Sequence, residues 1–276
     1  MSSPSSQALL EVALRAADRA SQIARSQRES LSVSVSFKGD RNLVTTADIA
    51  CEKVIIETIR ETFPDHTILA EETAQELSPA EYGTGYVWVI DPIDGTTNYA
   101  HGHHQVGISI GCALNGTTQI GVVAAPFVGE VFTAVKGGGA FLNGAPIAIS
   151  GTEALADALV ATGFPYDRAN AANICARLER VLRRCRDIRR VGAASLDLCW
   201  VACGRLDAYY EECLHPWDCV AGGLIAQEAG ARIGHFIYEN DSQRITALYP
   251  GDLFIDNIVV AGPALLEELV ATLNRG

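Results

Sequence analysis

The chain is short of basic residues, long apolar runs and paired cysteines, and each shortage excludes a class of function. Lys and Arg number 21 against 33 Asp and Glu, a formal charge of −12. A field of that sign disfavours non-specific binding to nucleic acid or anionic membrane, and it demands local neutralisation wherever an anionic substrate docks. No uninterrupted apolar stretch approaches the ~20 residues of a bilayer-spanning helix. The opening Met1-Ser-Ser-Pro-Ser-Ser6 has no basic segment leading into an apolar one, so no secretory leader is expected. None of the eight cysteines forms a Cys-x-x-Cys pair, which leaves a structural zinc site poorly supported. They are expected as free thiols in a reducing cytoplasm, several acting as small core hydrophobes.

What is present is globular. A hydrophobic content of 48% with 20% charged residues, over 276 residues, can bury a large core. Leu10, Leu14, Ala17 and Ile23 predict a first amphipathic helix, and Leu31–Phe37 alternates as a strand. Ile49, Ile56, Ile59 and Phe63 predict a second helix closed by Pro64. Residues 67–70 read as a short strand running into Glu71 and Glu72. Strands at 106–114, 119–125 and 130–135, and an Asn143-Gly144 hairpin, predict a mainly antiparallel sheet in the first half. From residue 151 strands at 158–162 and 206–210 alternate with helices at 170–186, 195–203 and 217–229, and a strand at 258–261 and a helix at 263–273 follow. With no repeats and no separating linker, halves 1–150 and 151–276 are expected to pack as one body.

The most informative segment is Tyr86-Val-Trp-Val-Ile90 followed by Asp91-Pro-Ile-Asp-Gly-Thr-Thr-Asn98. The five apolar residues read as a strand buried on both faces. Two carboxylates three positions apart follow, then Gly-Thr-Thr. Pro92 holds Asp91 extended, and Gly95 lets the backbone approach a ligand closely. Hard oxygen ligands beside N–H and hydroxyl donors suit a divalent cation that holds a phosphate. The same dipeptides also make ordinary turns. Other acidic points have double readings too: Asp48 in Thr45-x-x-Asp48 as a capping box, Asp218 after Pro216-Trp217 as a helix-dipole partner, and Glu71-Glu72 as a solvated loop.

Asp91–Asn98, Leu69-Ala-Glu-Glu72 and Trp217-Asp-Cys-Val-Ala-Gly222 together resemble the three signature segments of the inositol monophosphatase family, magnesium-dependent and lithium-sensitive phosphomonoesterases. Leu43-Val-Thr-Thr-Ala-Asp48, Gly163-Phe-Pro-Tyr-Asp167 and Ala208-Tyr-Tyr-Glu211 match further family segments in order. The resemblance implies an α/β fold, a layered αβαβα sandwich with a smaller mixed sheet in the second half, and a homodimer. It also implies that Glu71, Asp91 and the Ile93 carbonyl hold one Mg²⁺, that Asp91, Asp94 and Asp218 hold a second, and that a loose third ion sits near Glu71. Gly95 and Thr96 amides would bind phosphate, and Thr96 with Asp48 would align and deprotonate the attacking water. Substrate hydroxyls would meet Glu211, Asp218 and the backbone of Gly192, Ala193 and Ala194, with no phosphoenzyme. Departures are Cys219-Val220 after the aspartate, and the variable loop Lys38-Gly39-Asp40. His101, His103 and His104 read as rim residues, not zinc ligands.

The expected substrate is a small phosphorylated polyol, foremost myo-inositol monophosphate, with histidinol phosphate, fructose 1,6-bisphosphate and 3′-phosphoadenosine nucleotides as alternatives within the family. A role of another class is binding to RNA or to the transcription machinery. It rests on Arg177, Arg180, Arg183, Arg184, Arg186, Arg189 and Arg190, whose plainer reading is a solvated basic helix face.

Overall fold

The computed structural model describes residues 4–30, 35–37, 43–73, 83–236 and 257–274. Residues 31–34 of the expected first strand and the loop Lys38-Gly39-Asp40 lie outside them. Helices and sheets alternate in five layers, the α/β sandwich expected.

The first layer pairs α1 (Ser6–Glu29) with α2 (Thr46–Arg60). The Ser5 hydroxyl accepts the Ala8 N–H at 3.2 Å and starts α1. The buried face of α1 is Leu9, Val12, Ala13, Ala16, Ala17, Ala20 and Ala24, whereas Leu10, Leu14 and Ile23 only border the core. Spacing of the large apolar residues points to the wrong stripe, because alanines are what let the two helices approach. On α2 the same happens: Ile55 and Ile59 are buried, but Ile49 is 58% exposed, on the far side from the core. The helix ends at Arg60, short of Pro64. Strands β1 (Val35–Phe37) and β2 (Leu43–Thr45) pair antiparallel before it.

Beneath lies a sheet of β3 (Thr67–Ala70), β4 (Tyr86–Asp94), β5 (Gly107–Leu114), β6 (Thr117–Ala125), β7 (Glu130–Val135), β8 (Ala140–Leu142) and β9 (Ala145–Pro146), neighbours in chain order. Only β3–β4 is parallel. Asn143 and Gly144 take φ 48° and 79°, the left-handed pair that a two-residue hairpin turn requires. The start of β4 is pinned by Trp88, fully buried, whose indole N–H donates to His66 Nδ1 at 3.0 Å. His66 in turn is stacked between Phe63 and Tyr86, each 4.6 Å away.

The second sheet runs β11 (Asp187–Arg189), β10 (Leu159–Thr162), β12 (Ala208–Glu211), β14 (Ile258–Ala261), β13 (Arg232–His235). It is mixed, parallel through β11–β10–β12 and antiparallel beyond. Its outer face is covered by α4 (Ala171–Leu182) and α7 (Pro263–Leu273). The helix expected over 170–186 stops at Leu182, and the three-residue strand β11 follows; β11 and β13 are too short and too polar for an apolar pattern to reveal. Between the sheets lie α5 (Ala194–Ala202) and α6 (Pro216–Glu228), apolar nearly all round as a helix covered on both sides must be.

How closely α6 sits on the first sheet is set by glycine. Gly111 and Gly121 face each other on β5 and β6. A Cβ on Gly121 would stand 2.6 Å from the Ala221 carbonyl oxygen, and one on Gly111 2.8 Å from Val220 Cγ1. The helix backbone therefore rests on bare strands, and that contact fixes where residue 218 stands at the start of α6. Gly121→Ala meets backbone that cannot swing aside, so a loss of about 1–3 kcal/mol is expected, the usual range for overpacking. Thermal and urea denaturation should register it, while Gly151→Ala, with nothing within 4 Å of the added carbon, should be neutral.

Candidate active site

Strand β4 delivers two carboxylates to one place by breaking its own regularity. In a regular strand, residues three apart point to opposite faces. Here the ladder slips: Asp91 pairs with Ser109 and Asp94 with Gly107, three steps against two, which is a β-bulge. Pro92 cannot donate to the ladder, and the Ile93 N–H turns inward to Asp91 Oδ1 at 3.0 Å. Glu71 arrives alongside because β3 runs parallel to β4 and the Glu71 N–H continues the pairing onto the Ile90 carbonyl at 3.1 Å. Glu52 of α2, itself 2% exposed, accepts the Glu72 N–H at 2.8 Å and ties that strand end to the helix layer.

Two helices of the middle layer point their first turns at the same spot. Asp94 accepts the Ala194 N–H at 3.2 Å, the Ser195 N–H at 2.7 Å and the Ser195 hydroxyl at 2.5 Å, so it receives the start of α5. Gly107 allows this, since a Cβ there would lie 2.4 Å from Ser195 Oγ. Asp218 is the third residue of α6 and accepts the His215 N–H at 2.7 Å, half of a capping box, while the His215 and Trp217 rings stack at 4.6 Å. One oxygen each from Asp91, Asp94 and Asp218 lies within 4.8 Å of the other two.

Thr96 opens the short helix α3 (Thr96–Ala100) behind Gly95, which takes φ 89°. Its hydroxyl lies 3.0 Å from Asp48 Oδ1 and 3.1 Å from the Ile93 carbonyl. The other oxygen of Asp48 accepts the Thr45 N–H and hydroxyl at 2.8 and 2.5 Å, completing the capping box of α2. Asp48 thus holds both of its readings at once, a helix cap and a partner of Thr96.

These residues surround a cavity of about 820 Å³. Glu71, Asp91, Ile93, Asp94, Gly95, Thr96, Gly192, Ala194, Glu211 and Asp218 line it; Ala193 is buried behind the lining and packs on Gly95. His101, His103 and His104 are exposed. Burial raises Asp91 well above the ordinary carboxylate range, and Glu71, Asp94, Asp218 and Asp48 raise it further. Asp218 is raised likewise, by burial and then by Asp94. Asp94 is also raised by burial, with the Ser195 and Ala194 donors opposing. Carboxylates held this close need a counter-charge, and the donors here are hard oxygens only. That set could hold a divalent cation of the magnesium or calcium type.

Glu211 ends β12 with its carboxyl laid on the bare Cα of Gly163, where a Cβ would come within 1.9 Å of Oε2. The Tyr209 hydroxyl donates to it at 2.5 Å. Burial pushes Glu211 up to about 7, against the opposing pull of Tyr209 and Arg190. Ser195, Gly107 and Gly163's contact with Glu211 were not foreseen as parts of the site; Ser195 directly follows the run Gly192–Ala194, which was its only signal.

The sequence profile of the inositol monophosphatase family matches residues 5–275. The chain belongs to the inositol monophosphatase family. Membership makes it a phosphoric monoester hydrolase. A Nus factor SuhB of Pseudomonas aeruginosa is 42% identical over 234 residues, 83% of this chain and 86% of that protein. Among solved structures, the extragenic suppressor protein SuhB of Bartonella henselae aligns at TM-score 0.84 and 29% identity, covering 98% of this chain and 99% of that one. The inositol monophosphatase of Anabaena (Nostoc) sp. PCC 7120 aligns at 0.80 and 35%, covering 97% and 95%.

The raised Glu211 makes a pH prediction with a definite sign. Between about 4.5 and 7 the folded chain holds a proton at this carboxyl that the unfolded chain has lost, so stability falls as pH rises through that window. In metal-free protein, Glu211→Gln is expected to melt increasingly above wild type from pH 5 to pH 7.5; parallel melting curves across that range would refute the assignment.

Proposed function

We propose that the chain hydrolyses myo-inositol monophosphate to inositol and phosphate by direct attack of water, with no phosphoenzyme. The observation that carries this reading is the convergence of Asp91, Asp94 and Asp218, distant in sequence, to within 4.8 Å on one cavity. Phosphate monoester hydrolysis is among the slowest uncatalysed reactions, because water must attack a dianion and an alkoxide must leave. Two Mg²⁺ ions, when bound, supply Lewis-acid charge at both ends of that displacement. Glu71, Asp91 and the Ile93 carbonyl would hold one, Asp91, Asp94 and Asp218 the other, and the family likeness implies a loose third near Glu71.

The chain's own groups do the positioning and move the proton. With its hydroxyl hydrogen on Asp48, Thr96 keeps a lone pair free to accept from the attacking water. A proton arriving at Thr96 Oγ displaces the one passed to Asp48. Burial raises Asp48 above the ordinary carboxylate range, despite its bonds from Thr45 and Thr96, and makes it the stronger acceptor. The Gly95 and Thr96 amides take phosphate oxygens. Glu211 and Asp218, with the Gly192–Ala194 backbone, take polyol hydroxyls. The family likeness further suggests a lithium-sensitive cytoplasmic homodimer in which residues 1–150 hold most metal ligands and 151–276 hold Asp218 and the substrate contacts. Among the described residues no helix is long and apolar enough to cross a membrane.

The competing reading is a role with RNA or the transcription machinery, and relatives do bear the name Nus factor. The arginines that suggested it do not favour it, because six of the seven are engaged inside the chain. Arg177 pairs with Glu212 at 3.0 Å in a buried bridge, Arg180 donates to the Leu273 carbonyl, and Arg183, Arg184, Arg186 and Arg189 pair with Glu179, Glu268, Asp157 and Asp187.

Asp91→Asn keeps an oxygen for the Ile93 N–H and removes one charge from the cluster. Turnover of inositol 1-phosphate is expected to fall at least ~10³-fold, a loss in keeping with removal of charge stabilisation at the reacting centre. The metal-free melting temperature should hold or rise, and the rise expected of the wild type in millimolar magnesium should be absent. Retained turnover at saturating magnesium would refute the site. Phosphate release from inositol 1-phosphate, histidinol phosphate, fructose 1,6-bisphosphate and a 3′-phosphoadenosine nucleotide separates the substrates.

A further inference from the structure

One hydroxyl on the cavity wall has no part in the reaction above. The segment Gly163-Phe-Pro-Tyr-Asp167 runs straight on from the end of β10 at Thr162. Its first residue is seated on Glu211, whose carboxyl occupies the place of the missing Cβ. Three residues later Tyr166 lines the cavity together with Glu71, Asp91, Asp94 and Asp218. Pro165 restricts the backbone on its own side and that of Phe164. Beyond Tyr166 the Asp167 carboxyl accepts the Ala169 N–H at 2.8 Å, just ahead of α4. The tyrosine is thus carried by a short loop constrained on both sides.

Its surroundings orient it. Tyr166 as a residue is 47% exposed, yet burial raises its hydroxyl above the usual phenol range. The open part is therefore the ring, at the mouth, and the hydroxyl is the inner end. Glu71, Asp91, Asp94 and Asp218 raise it further, in that order, so the hydroxyl faces the metal end of the cleft. Among the described residues it makes no hydrogen bond, to those carboxylates or to anything else. The other tyrosines near the site differ: Tyr99 donates to the Ala24 carbonyl at 2.9 Å, and Tyr209 donates to Glu211. Phenylalanine would serve the packing at position 166 equally well, so the oxygen has no structural use.

What stands between this hydroxyl and the carboxylates has to accept a hydrogen bond on the tyrosine side. A phosphate held at the metal end does so with an oxygen that bears charge, and bonds to charged acceptors are the strong ones. A phenol is a neutral donor throughout the physiological range. Unlike a lysine or arginine, it adds no positive charge to compete with cations for the carboxylates. The polyol end is served from the other end of the same loop, where Gly163 supports Glu211. We propose that Tyr166 is a substrate-binding residue whose hydroxyl donates to an oxygen of the scissile phosphate, adding a third donor to the Gly95 and Thr96 amides. This deepens the phosphatase reading and rests on it.

Tyr166→Phe keeps the ring and deletes only the oxygen. At saturating magnesium it is expected to raise KM for inositol 1-phosphate and for glycerol 2-phosphate alike, by at least ~10-fold, as loss of a bond to a charged acceptor implies. A contact made equally before and during reaction leaves kcat within about threefold. Calorimetric titration of the magnesium-loaded protein with inorganic phosphate should weaken by a similar factor, and the metal-free melting temperature should not move. Unchanged KM and unchanged phosphate affinity overturn the assignment. A rise in KM confined to inositol 1-phosphate also overturns it, because that places the hydroxyl on the polyol. So does a lowered melting temperature with turnover reduced and phosphate affinity intact, the mark of loop support alone. Should wild type hydrolyse neither ester, the phosphatase reading itself has failed. The phosphate titration then decides for Tyr166: weaker binding by the variant supports it, and equal binding, or none by wild type, refutes it.

Discussion

The constraint on which the rest of this structure depends is like-charge repulsion among buried carboxylates. Asp91, Asp94 and Asp218 would separate if the backbone let them, since Asp94 and Asp218 both strengthen the hold of Asp91 on a proton and Asp94 does the same to Asp218. Three rigid features prevent it. The bulge in β4 commits two of the aspartates to one side, and the bare face at Gly111 and Gly121 fixes where α6 begins. The third is the double grip of α5 on Asp94 through Ala194 and Ser195. None of these is a surface loop. All are edges of packed layers, which move only if a core moves with them.

Helix starts supply the compensation. Asp48 and Asp218 complete the capping boxes of α2 and α6, and Asp94 receives the first amides of α5. Each carboxylate therefore meets backbone N–H groups and the positive end of a helix dipole. This offsets part of the repulsion without neutralising the oxygens that face the cavity. The arrangement also explains why the middle layer is built from helices of the second half: a sheet edge could not present two N-termini to one point. Fold and site share the same contacts, so the plain readings of Asp48 in a capping box and Asp218 as a helix-dipole partner are compatible with the functional one as site residues.

Much of this was legible in the sequence, and the failures have a common cause. Apolar runs bounded by Gly and Asn marked the strands of the first sheet, and Asn143-Gly144 marked its hairpin. The order and layering of the elements followed from the family segments. What escaped were contacts defined by missing atoms. The alanine face of α1, the glycine floor beneath α6, Gly107 against Ser195 and Gly163 beneath Glu211 all work through the absence of a side chain. Small residues carry little weight in a periodicity, so the stripe through Leu10 and Leu14 and the exposed Ile49 drew the eye instead. Short polar strands such as Asp187–Arg189 failed for the complementary reason, being held by ladder bonds that no side-chain pattern reports.

The basic run from Arg177 to Arg190 makes the same point for charge. Composition counts formal charges, but recognition depends on charges whose hydrogen-bonding edges are free. In this segment the two diverge, because successive arginines reach α7, the short helical turn near Asp157 and the end of β12 and are spent on joining those elements. The buried Arg177–Glu212 bridge fixes the turn just past Glu211, so a residue that looks like a ligand for an external anion acts on the cleft from behind. Charge density along a chain therefore indicates a binding face only after the internal partners have been subtracted, and here six of the seven arginines are already engaged within the chain, which leaves Arg190 at the cleft.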